Sequence, residues 1–250
     1  MTAGSSDKPA PLIFPRTADG LLVRESFTPE RIAQWQAEAA RLNDGMPFLS
    51  HEEREASRAS HFADHPPGKD VWVFGYGSLM WNPAIHVEES RMATLQGYSR
   101  SFCLLLKMGR GSPENPGLML AIDEGGACTG IAHRIASERV ESETNILWMR
   151  EMLSGAYIPR WVELEVEGER QRAFTFIINR AHPRYTGHLP IEQVARQIAH
   201  AEGVLGKNSD YLFRTMGELE RLGVHDAPIA EIHARVRALT ADQQAAQEGN

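Results

Sequence analysis

A Gly-x-Gly-Ser turn follows a short apolar run, and this combination is able to bind a small anion. Residues 71–74 (Val-Trp-Val-Phe) predict a buried strand, because β-branched and aromatic side chains suit a pleated surface that is covered on both faces. Gly75 and Gly77 leave no side chain in front of the backbone amides, so successive N–H groups can point at a carboxylate. A tight turn that simply requires glycine is the alternative, and the local sequence alone favours that alternative.

Two better-known glycine signatures are absent around Ser78. A dinucleotide fingerprint requires a third glycine at position 80, which is Met80. A nucleophile elbow requires glycines at positions 76 and 80, which are Tyr76 and Met80. We therefore predict that Ser78 is a bystander or a hydrogen-bonding partner, and not a nucleophile.

Glu151 is the candidate proton carrier. In a helix predicted over residues 137–154, Val140, Thr144, Leu147 and Glu151 follow one face, which places the carboxyl on a stripe that otherwise points inward. Burial and the negative end of the helix dipole would both raise its pKa towards the working pH of a general base. The alternative is an acid paired with Arg150 on a solvated face, and the pattern does not decide between the two.

Histidine spacing does not indicate a metal site. His61 and His65 are four residues apart, but two prolines follow immediately and no third ligand is close in sequence. His182 and His188 flank a loop of Pro, Arg and Gly residues. We therefore expect no metal and no cofactor.

Composition indicates an ordinary globular protein of 250 residues, with 42% hydrophobic and 24% charged residues. The net charge of −7 argues against a nucleic-acid or anionic-membrane partner. Cys103 and Cys128 lie in predicted strands and are expected to be reduced core thiols. No apolar stretch approaches the roughly 20 residues that span a bilayer, and no apolar segment follows Lys8, so we expect a cytoplasmic protein.

The chain divides into an extension, a main domain and a tail. Residues 1–70 predict an N-terminal extension, partly disordered and then helical: one helix starts at Thr28-Pro29 and stops at residues 43–45, and a second has a capping box between Ser50 and Glu53. The extension shows no residues suited to chemistry and is expected to pack on the main domain or to mediate association. Residues 71–240 form the main domain, and residues 241–250 a frayed tail.

The main domain predicts strands first and helices last, with one helix inserted, which is typical of the α+β class. Residues 91–96 and 98–107 are predicted as separate strands divided by Gly97, and residues 117–123 and 129–135 as two more around residues 124–126. Residues 161–166 and 173–178 predict a hairpin, and three amphipathic helices follow, the last ending near Thr240.

Taken together, the ordered motifs of the main domain resemble the ChaC-type, glutathione-specific γ-glutamylcyclotransferases. A Tyr-Gly-Ser-Leu turn and a later Arg-Glu pair are the most specific parts of the resemblance. It covers about residues 71–240 and leaves the first 70 outside. The matching segments are residues 74–79, 81–83, 97–102, 116–120, 130–135, 150–151, 189–191 and 208–212.

The resemblance implies a fold, a reaction and a set of site residues. The fold would be a closed or mixed β-barrel of about six to seven strands with flanking helices. The reaction would cyclise the γ-glutamyl group of glutathione to 5-oxoproline and release Cys-Gly, with Glu151 as the base and no cofactor. The implied substrate-binding residues are Tyr76, Gly77, Ser78, Leu79, Arg100, Tyr157 and Tyr211.

Two departures from the family pattern leave alternatives open. Ser154 to Tyr157 replaces the usual Gly-Gly-Tyr after the glutamate, and His133 stands where a tyrosine is usual. These changes allow a different γ-glutamyl amine or peptide as substrate. A non-catalytic binding protein of the same fold is the third hypothesis, since fold does not prove activity. The sequence is silent on the oligomeric state.

Overall fold

The structure of the protein is a computed structural model that describes residues 15–41 and 47–248. Helices and strands alternate irregularly along the chain, with a 3-10 helix before the first α-helix and another before the fourth. In chain order the elements are α1 (Pro29–Arg41), α2 (His51–His61), β1 (Val71–Gly75), α3 (Ser78–Trp81), β2 (Glu89–Leu106), β3 (Gly117–Ile135), α4 (Val140–Glu151), β4 (Tyr157–Val166), β5 (Glu169–Ile178), α5 (Ile191–His200), β6 (Glu202–Gly203), β7 (Gly206–Lys207), α6 (Asn208–Arg221) and α7 (Ala227–Glu248).

Five strands form a closed barrel in the order β1-β3-β2-β4-β5. All neighbouring strands are antiparallel except β1 and β5, whose parallel pairing through Val73 and Phe174 closes the barrel. This architecture confirms the predicted α+β class and the closed, mixed barrel. The expected count of six to seven strands is wrong, because the two small strands β6 and β7 form a separate sheet.

The difference in strand number comes from glycines that bend strands instead of ending them. β2 runs through Gly97 with a shift in its pairing register at that point, and β3 runs through Gly125 and Gly126. All three glycines have positive φ angles, of 84°, 113° and 70°. Glycine at positive φ is typical of bulges, which turn a strand without ending its pairing. Two predicted pairs of short strands are therefore two long, bent strands.

Local sequence signals placed several elements correctly. α1 begins at Pro29 as predicted, although its predicted stop at residues 43–45 lies outside the described residues. α2 has the predicted capping box, in which Glu53 N–H donates to Ser50 Oγ at 3.1 Å and Ser50 N–H donates to Glu53 Oε2 at 2.7 Å. β4 and β5 form the predicted hairpin around Glu167 and Gly168, whose φ angles of 52° and 84° suit a two-residue turn.

Two predicted helix ends differ from the structure. α4 ends at Glu151 and not at residue 154, because Leu153 O accepts a hydrogen bond from Leu49 N–H (2.9 Å) in the extension, and Gly155 then turns the chain into β4. α7 continues to Glu248, beyond the predicted end near Thr240. Its last residues are mainly Ala, Gln and Glu, which are good helix formers.

The extension packs against the main domain along residues 15–41 and 47–62. Ser26 and Ile32 are buried, and Ile32 belongs to a small apolar cluster with Ile146 and Met149 of α4. Part of the predicted loose leader, residues 15–27, is therefore in contact with the core, whereas residues 1–14 lie outside the described residues.

Helices α5, α6 and α7 pack on the barrel through β3. Their apolar residues, among them Ile198, Leu212 and Val236, form one cluster with Leu118 and Leu120 of β3. Across the described ranges, no helix is both long and apolar enough to cross a membrane.

Candidate active site

A cavity of about 240 Å³ lies where the turn after β1 meets the C-terminal end of α4. This volume is near the lower end of ligand pockets, which are roughly 300–1,000 Å³. Of the eight site residues predicted from the sequence, all but one line the cavity. Those lining it are Tyr76, Gly77, Ser78, Leu79, Glu151, Tyr157 and Tyr211.

The turn requires glycine at both positions, because a Cβ atom at either one would clash with a neighbouring residue. A Cβ atom at Gly75 would lie 2.8 Å from the Cβ of Leu79, and one at Gly77 would lie 2.6 Å from the hydroxyl oxygen of Tyr211. α3 starts directly at Ser78, so the N–H groups of Ser78 and Leu79 have no acceptor within the helix, whereas Met80 N–H donates to Gly77 O at 3.0 Å. The tight-turn interpretation and the cavity-lining interpretation of this segment are therefore compatible.

His133 supports the turn from the barrel side and does not line the cavity. Its Nε2 lies 2.9 Å from Leu79 O and its Nδ1 lies 2.8 Å from Ser90 Oγ. Since a carbonyl oxygen only accepts, Nε2 carries the proton and Nδ1 accepts from the serine hydroxyl. Burial lowers the pKa of His133, which favours this neutral form.

Arg100, which the sequence placed among the substrate-binding residues, is the one predicted site residue outside the cavity lining. Its guanidinium is buried and does not line the cavity. Instead it donates to Tyr76 O (2.6 Å), to Thr129 O and to the carboxylate of Asp226 (2.9 Å). Arg100 thus holds the turn to β3 and to the start of α7.

Glu151 is the last residue of α4, and its side chain is only 18% exposed. Its Oε1 lies 3.6 Å from Nε of Arg150, so the two side chains form an ion pair. This pair is largely buried and does not lie on a solvated face. Burial raises the pKa of Glu151, and the nearby Arg150 charge opposes part of that rise. The carboxyl therefore combines a position in the cavity with a pKa displaced towards neutrality.

Arg150 is anchored to the loop that follows α3. Its NH1 donates to Asn82 O (3.0 Å) and to Pro83 O, and its guanidinium lies 5.1 Å from the ring centre of Phe27. These contacts fix the cation beside Glu151, so it stabilises the carboxylate without occupying the cavity centre.

The tyrosine hydroxyls are donors within the protein. Tyr76 donates to Phe176 O at 2.7 Å, and Tyr157 donates to Leu120 O at 2.8 Å. Burial raises the pKa of Tyr76, Tyr157 and Tyr211, so all three remain protonated near neutral pH. We conclude that their rings shape the cavity, while Glu151 is the titratable acid.

Sequence reasoning missed most of the lining, including Arg184 and many apolar residues of the main domain, and two further parts bear on the charge and shape of the cavity. Arg110, in the glycine-rich loop between β2 and β3, lines it and donates to Lys207 O at 2.8 Å. Burial lowers the pKa of Arg110, and the side chain places a cation in the lining. The second part is apolar and comes from the extension, which the sequence suggested had no role in chemistry: Leu22, Phe27, Ile32, Trp35 and Phe48. Only the glycines around Arg110 could have drawn attention to that loop.

Among the residues that the structure describes, no three or more His, Cys, Asp or Glu side chains are grouped to hold a metal ion. His61 and His65 instead stack on Trp161, with ring centres 5.0 Å and 6.0 Å apart. Cys103 and Cys128 are free and buried.

Comparisons with known proteins agree with these features. A family model described as ChaC-like protein matches residues 71–239. The glutathione-specific gamma-glutamylcyclotransferase of Escherichia coli (strain K12) is 44% identical over 194 residues, which cover 77% of this chain and 84% of that protein. The glutathione-specific gamma-glutamylcyclotransferase 1 of Danio rerio is 32% identical over 176 residues, 68% of this chain and 89% of that protein.

The fold is also shared with a solved structure. The crystal structure of a γ-glutamyl cyclotransferase specific to glutathione from yeast aligns with a TM-score of 0.63 at 18% identity, covering 69% of this chain and 100% of that one. Since the family model spans more than half of the sequence and the barrel is the same, the chain belongs to the ChaC-like protein family.

Proposed function

We propose that this protein cyclises the γ-glutamyl group of glutathione and releases 5-oxoproline and Cys-Gly. Membership of the ChaC-like family and the names of the relatives from Escherichia coli and Danio rerio support the reaction and the substrate. The observation that carries the proposal is the meeting of Glu151 with the turn at residues 76–79 in one cavity, although the two are far apart in sequence.

The reaction requires a folded substrate more than a protein nucleophile. The α-amine of the γ-glutamyl group attacks its own γ-carbonyl carbon, so a five-membered ring forms and the bond to the cysteinyl nitrogen breaks. Because both reacting groups belong to one molecule, holding the near-attack conformer supplies much of the acceleration. This accounts for a site in which Ser78 has no histidine base and needs none.

Glu151 is proposed to move the proton. The attacking ammonium must lose a proton before or during attack, and the leaving amine must gain one. A carboxylate whose pKa is raised by burial is a stronger base than a solvated one and can return the same proton to the leaving nitrogen. Arg150, at 3.6 Å from Glu151, keeps the carboxyl ionised for the first transfer.

The turn is proposed to hold the charged end of the substrate. The N–H groups of Ser78 and Leu79, at the start of α3, have no acceptor within the helix, so they can donate to the α-carboxylate or to the oxygen that becomes negative during attack. Arg110 supplies a cation for a substrate carboxylate in the same cavity. The raised pKa of Tyr211 keeps its hydroxyl protonated, beside Gly77.

The decisive experiment measures 5-oxoproline release from glutathione by the wild type, by Glu151→Gln and by Glu141→Gln. Glu141 lies on the same helix but is 88% exposed, so it is a matched control for loss of one carboxylate from α4. Loss of a general base costs roughly 10²–10⁴-fold in rate, so Glu151→Gln should lose at least a hundredfold in kcat/KM. The control should retain wild-type activity. A folded, active Glu151→Gln variant would refute the assigned role.

The second candidate substrate is a γ-glutamyl amine or peptide other than glutathione. It is suggested by the two departures from the family pattern, at His133 and near Tyr157. His133 contacts the turn through Leu79 O and does not line the cavity. The histidine in place of the usual tyrosine therefore changes how the turn is supported, and argues less for a different substrate. Relative kcat/KM values for a panel of γ-glutamyl compounds separate the candidates. A protein that releases 5-oxoproline from none of them would support the third hypothesis, a non-catalytic binding protein.

A further inference from the structure

One wall of the cavity comes from residues that precede the family-matched region of 71–239. Leu22, Phe27, Ile32, Trp35 and Phe48 all line the cavity, and we call these five the apolar wall. No member carries a charge, whereas the remaining lining includes Glu151, Arg110 and Arg150. The extension therefore contributes shape and apolar surface to the cavity, and the main domain contributes its charged groups.

The apolar wall is fixed to the main domain by specific polar contacts. Arg24 donates to Glu143 of α4 through Nε (3.2 Å) and NH2 (2.8 Å), and the side chain of Glu143 is only 1% exposed. Glu143 also accepts from His86 N–H at 3.0 Å. Bidentate pairing of this kind gives geometric specificity as well as energy.

Further hydrogen bonds connect the wall at both ends. Asn82 Nδ2 donates to Leu22 O at 3.1 Å, from the loop that also anchors Arg150. Leu49 N–H, next to the wall residue Phe48, donates to Leu153 O at 2.9 Å. The wall is thus attached on either side of Glu151, to the loop after α3 and to the end of α4.

Arg110, Arg150 and Arg184 all line the cavity, and two members of the apolar wall lie beside the first two of these cations. The Phe27 ring lies against the guanidinium of Arg150, 5.1 Å from its centre. The Trp35 ring approaches Gly109 so closely that a Cβ there would lie 3.5 Å from it, next to Arg110. An apolar surface beside these cations suits the uncharged part of a ligand whose ends are charged.

We propose that the apolar wall is the specificity-determining surface for the cysteinyl side chain of the substrate, and that it limits which substituents the sulfur can carry. This inference rests on the proposed function. Glutathione has charged groups at its glutamyl end and at its glycine end, and the thiol-bearing side chain is its one uncharged branch. Arg24 and Glu143 are positioning residues, because they act by holding the wall and do not line the cavity.

The test compares glutathione with S-methylglutathione and S-hexylglutathione as substrates. The wild type should turn over glutathione and disfavour the hexyl thioether by at least tenfold in kcat/KM, since a methylene that does not fit costs roughly tenfold or more in selectivity. Trp35→Ala should reduce the ratio of kcat/KM for glutathione to kcat/KM for the hexyl thioether at least tenfold. Trp161→Ala is the matched control, because it removes the same volume at a ring that lies outside the cavity.

The positioning role of the Arg24–Glu143 pair is tested through the same preference for glutathione over the hexyl thioether. Arg24→Ala should raise KM for glutathione, leave kcat within about twofold, and reduce the preference for glutathione over the hexyl thioether. Arg24→Lys should restore part of the KM and part of that preference. If Trp35→Ala fails to fold by circular dichroism, Phe48→Ala takes its place. Two results would overturn the inference while leaving the proposed function intact. One is that Trp35→Ala or its replacement keeps the wild-type selectivity, and the other is that the wild type uses the hexyl thioether as well as it uses glutathione. No 5-oxoproline from any of the three compounds would overturn both.

Discussion

Replacement of Arg100 separates a supporting role from a substrate contact. The side chain is 1% exposed and donates to Tyr76 O, Thr129 O and Asp226. In Arg100→Met the aliphatic part of the side chain is kept, but two carbonyls and one carboxylate lose their donor. If Arg100 supports the turn, the free energy of unfolding must fall, whereas a residue that only bound substrate would change KM alone.

The magnitude follows from the partners that are left behind. Removing one partner of a buried ion pair costs about 3–5 kcal/mol, mainly because the other charge remains buried and unpaired. Asp226 is 16% exposed, so water can solvate part of its charge, and we expect the lower end of that range. In a domain of this size, 1 kcal/mol corresponds to about 2–4 °C in Tm, so Arg100→Met should melt about 6–12 °C below the wild type.

The assays are thermal and urea unfolding followed by tryptophan fluorescence, with 5-oxoproline release measured on the same protein preparations. Asp226→Asn is the partner control, because it keeps an oxygen acceptor but removes the charge, and the double variant Arg100→Met/Asp226→Asn should lose less stability than the two single losses added together. An Arg100→Met variant with the wild-type unfolding midpoint and a raised KM would refute the supporting role and restore the original expectation of a substrate contact.

Three other predictions concern the core. Gly130→Ala should lose about 1–3 kcal/mol of stability in urea unfolding, because the Cβ would lie 2.2 Å from a backbone oxygen of β1. Gly217 lies within α6, and a Cβ atom there would meet no other atom within 4 Å, so Gly217→Ala should instead gain about 0.5–1 kcal/mol of stability. Equal stability changes in the two glycine variants would contradict the packing argument. Burial raises the pKa of Cys103 to about 12 and of Cys128 to about 11, so neither thiol should react with a disulfide reagent at pH 8 until the protein unfolds. Burial lowers the pKa of His61 to about 4. The unfolded chain therefore binds a proton below about pH 6.5 that the folded chain resists, and stability should fall between pH 6.5 and 4 by up to about 1 kcal/mol per pH unit, with a smaller fall in His61→Phe.

The parts of the fold that the sequence predicts correctly are those that depend on neighbours along the chain. The capping box of α2 and the hairpin of β4 and β5 involve residues only a few positions apart, so residue type is enough. The glycines of β2 and β3 are different, because positive φ serves equally to end a strand and to bend one. Only the pairing of Gln96 and Tyr98 with β3 on either side of Gly97 distinguishes the two.

The candidate site was predictable in the same uneven way. A carboxyl on an apolar helix face and a glycine pair after a buried strand are local anomalies, and they made Glu151 and the turn candidates. The residue pattern left the alternatives open, and the family resemblance placed both in one predicted site. The contacts of Arg100 within the protein were not predictable, because an arginine in a strand has the same sequence signature whether it faces a ligand or a carbonyl. The lining role of Trp35 depends on how α1 docks against the loop at Gly109, which no periodicity in either segment reports.

The closure of the barrel has a consequence for how the protein acquires activity. β1 and β5 share a single registered pair, Val73 with Phe174, and two side-chain bonds reinforce it, from Thr175 to Phe74 O (2.9 Å) and from Tyr76 to Phe176 O (2.7 Å). These contacts join segments about 100 residues apart, whereas the hairpins close much shorter loops, so the seam is expected to form late in folding.

Tyr76 belongs both to this seam and to the turn at residues 76–79 that lines the cavity. A chain with its hairpins and helices in place but its seam open would have most of its secondary structure and an incomplete site. Recovery of 5-oxoproline release during refolding therefore reports barrel closure itself, and it should lag behind the return of the far-ultraviolet circular dichroism signal.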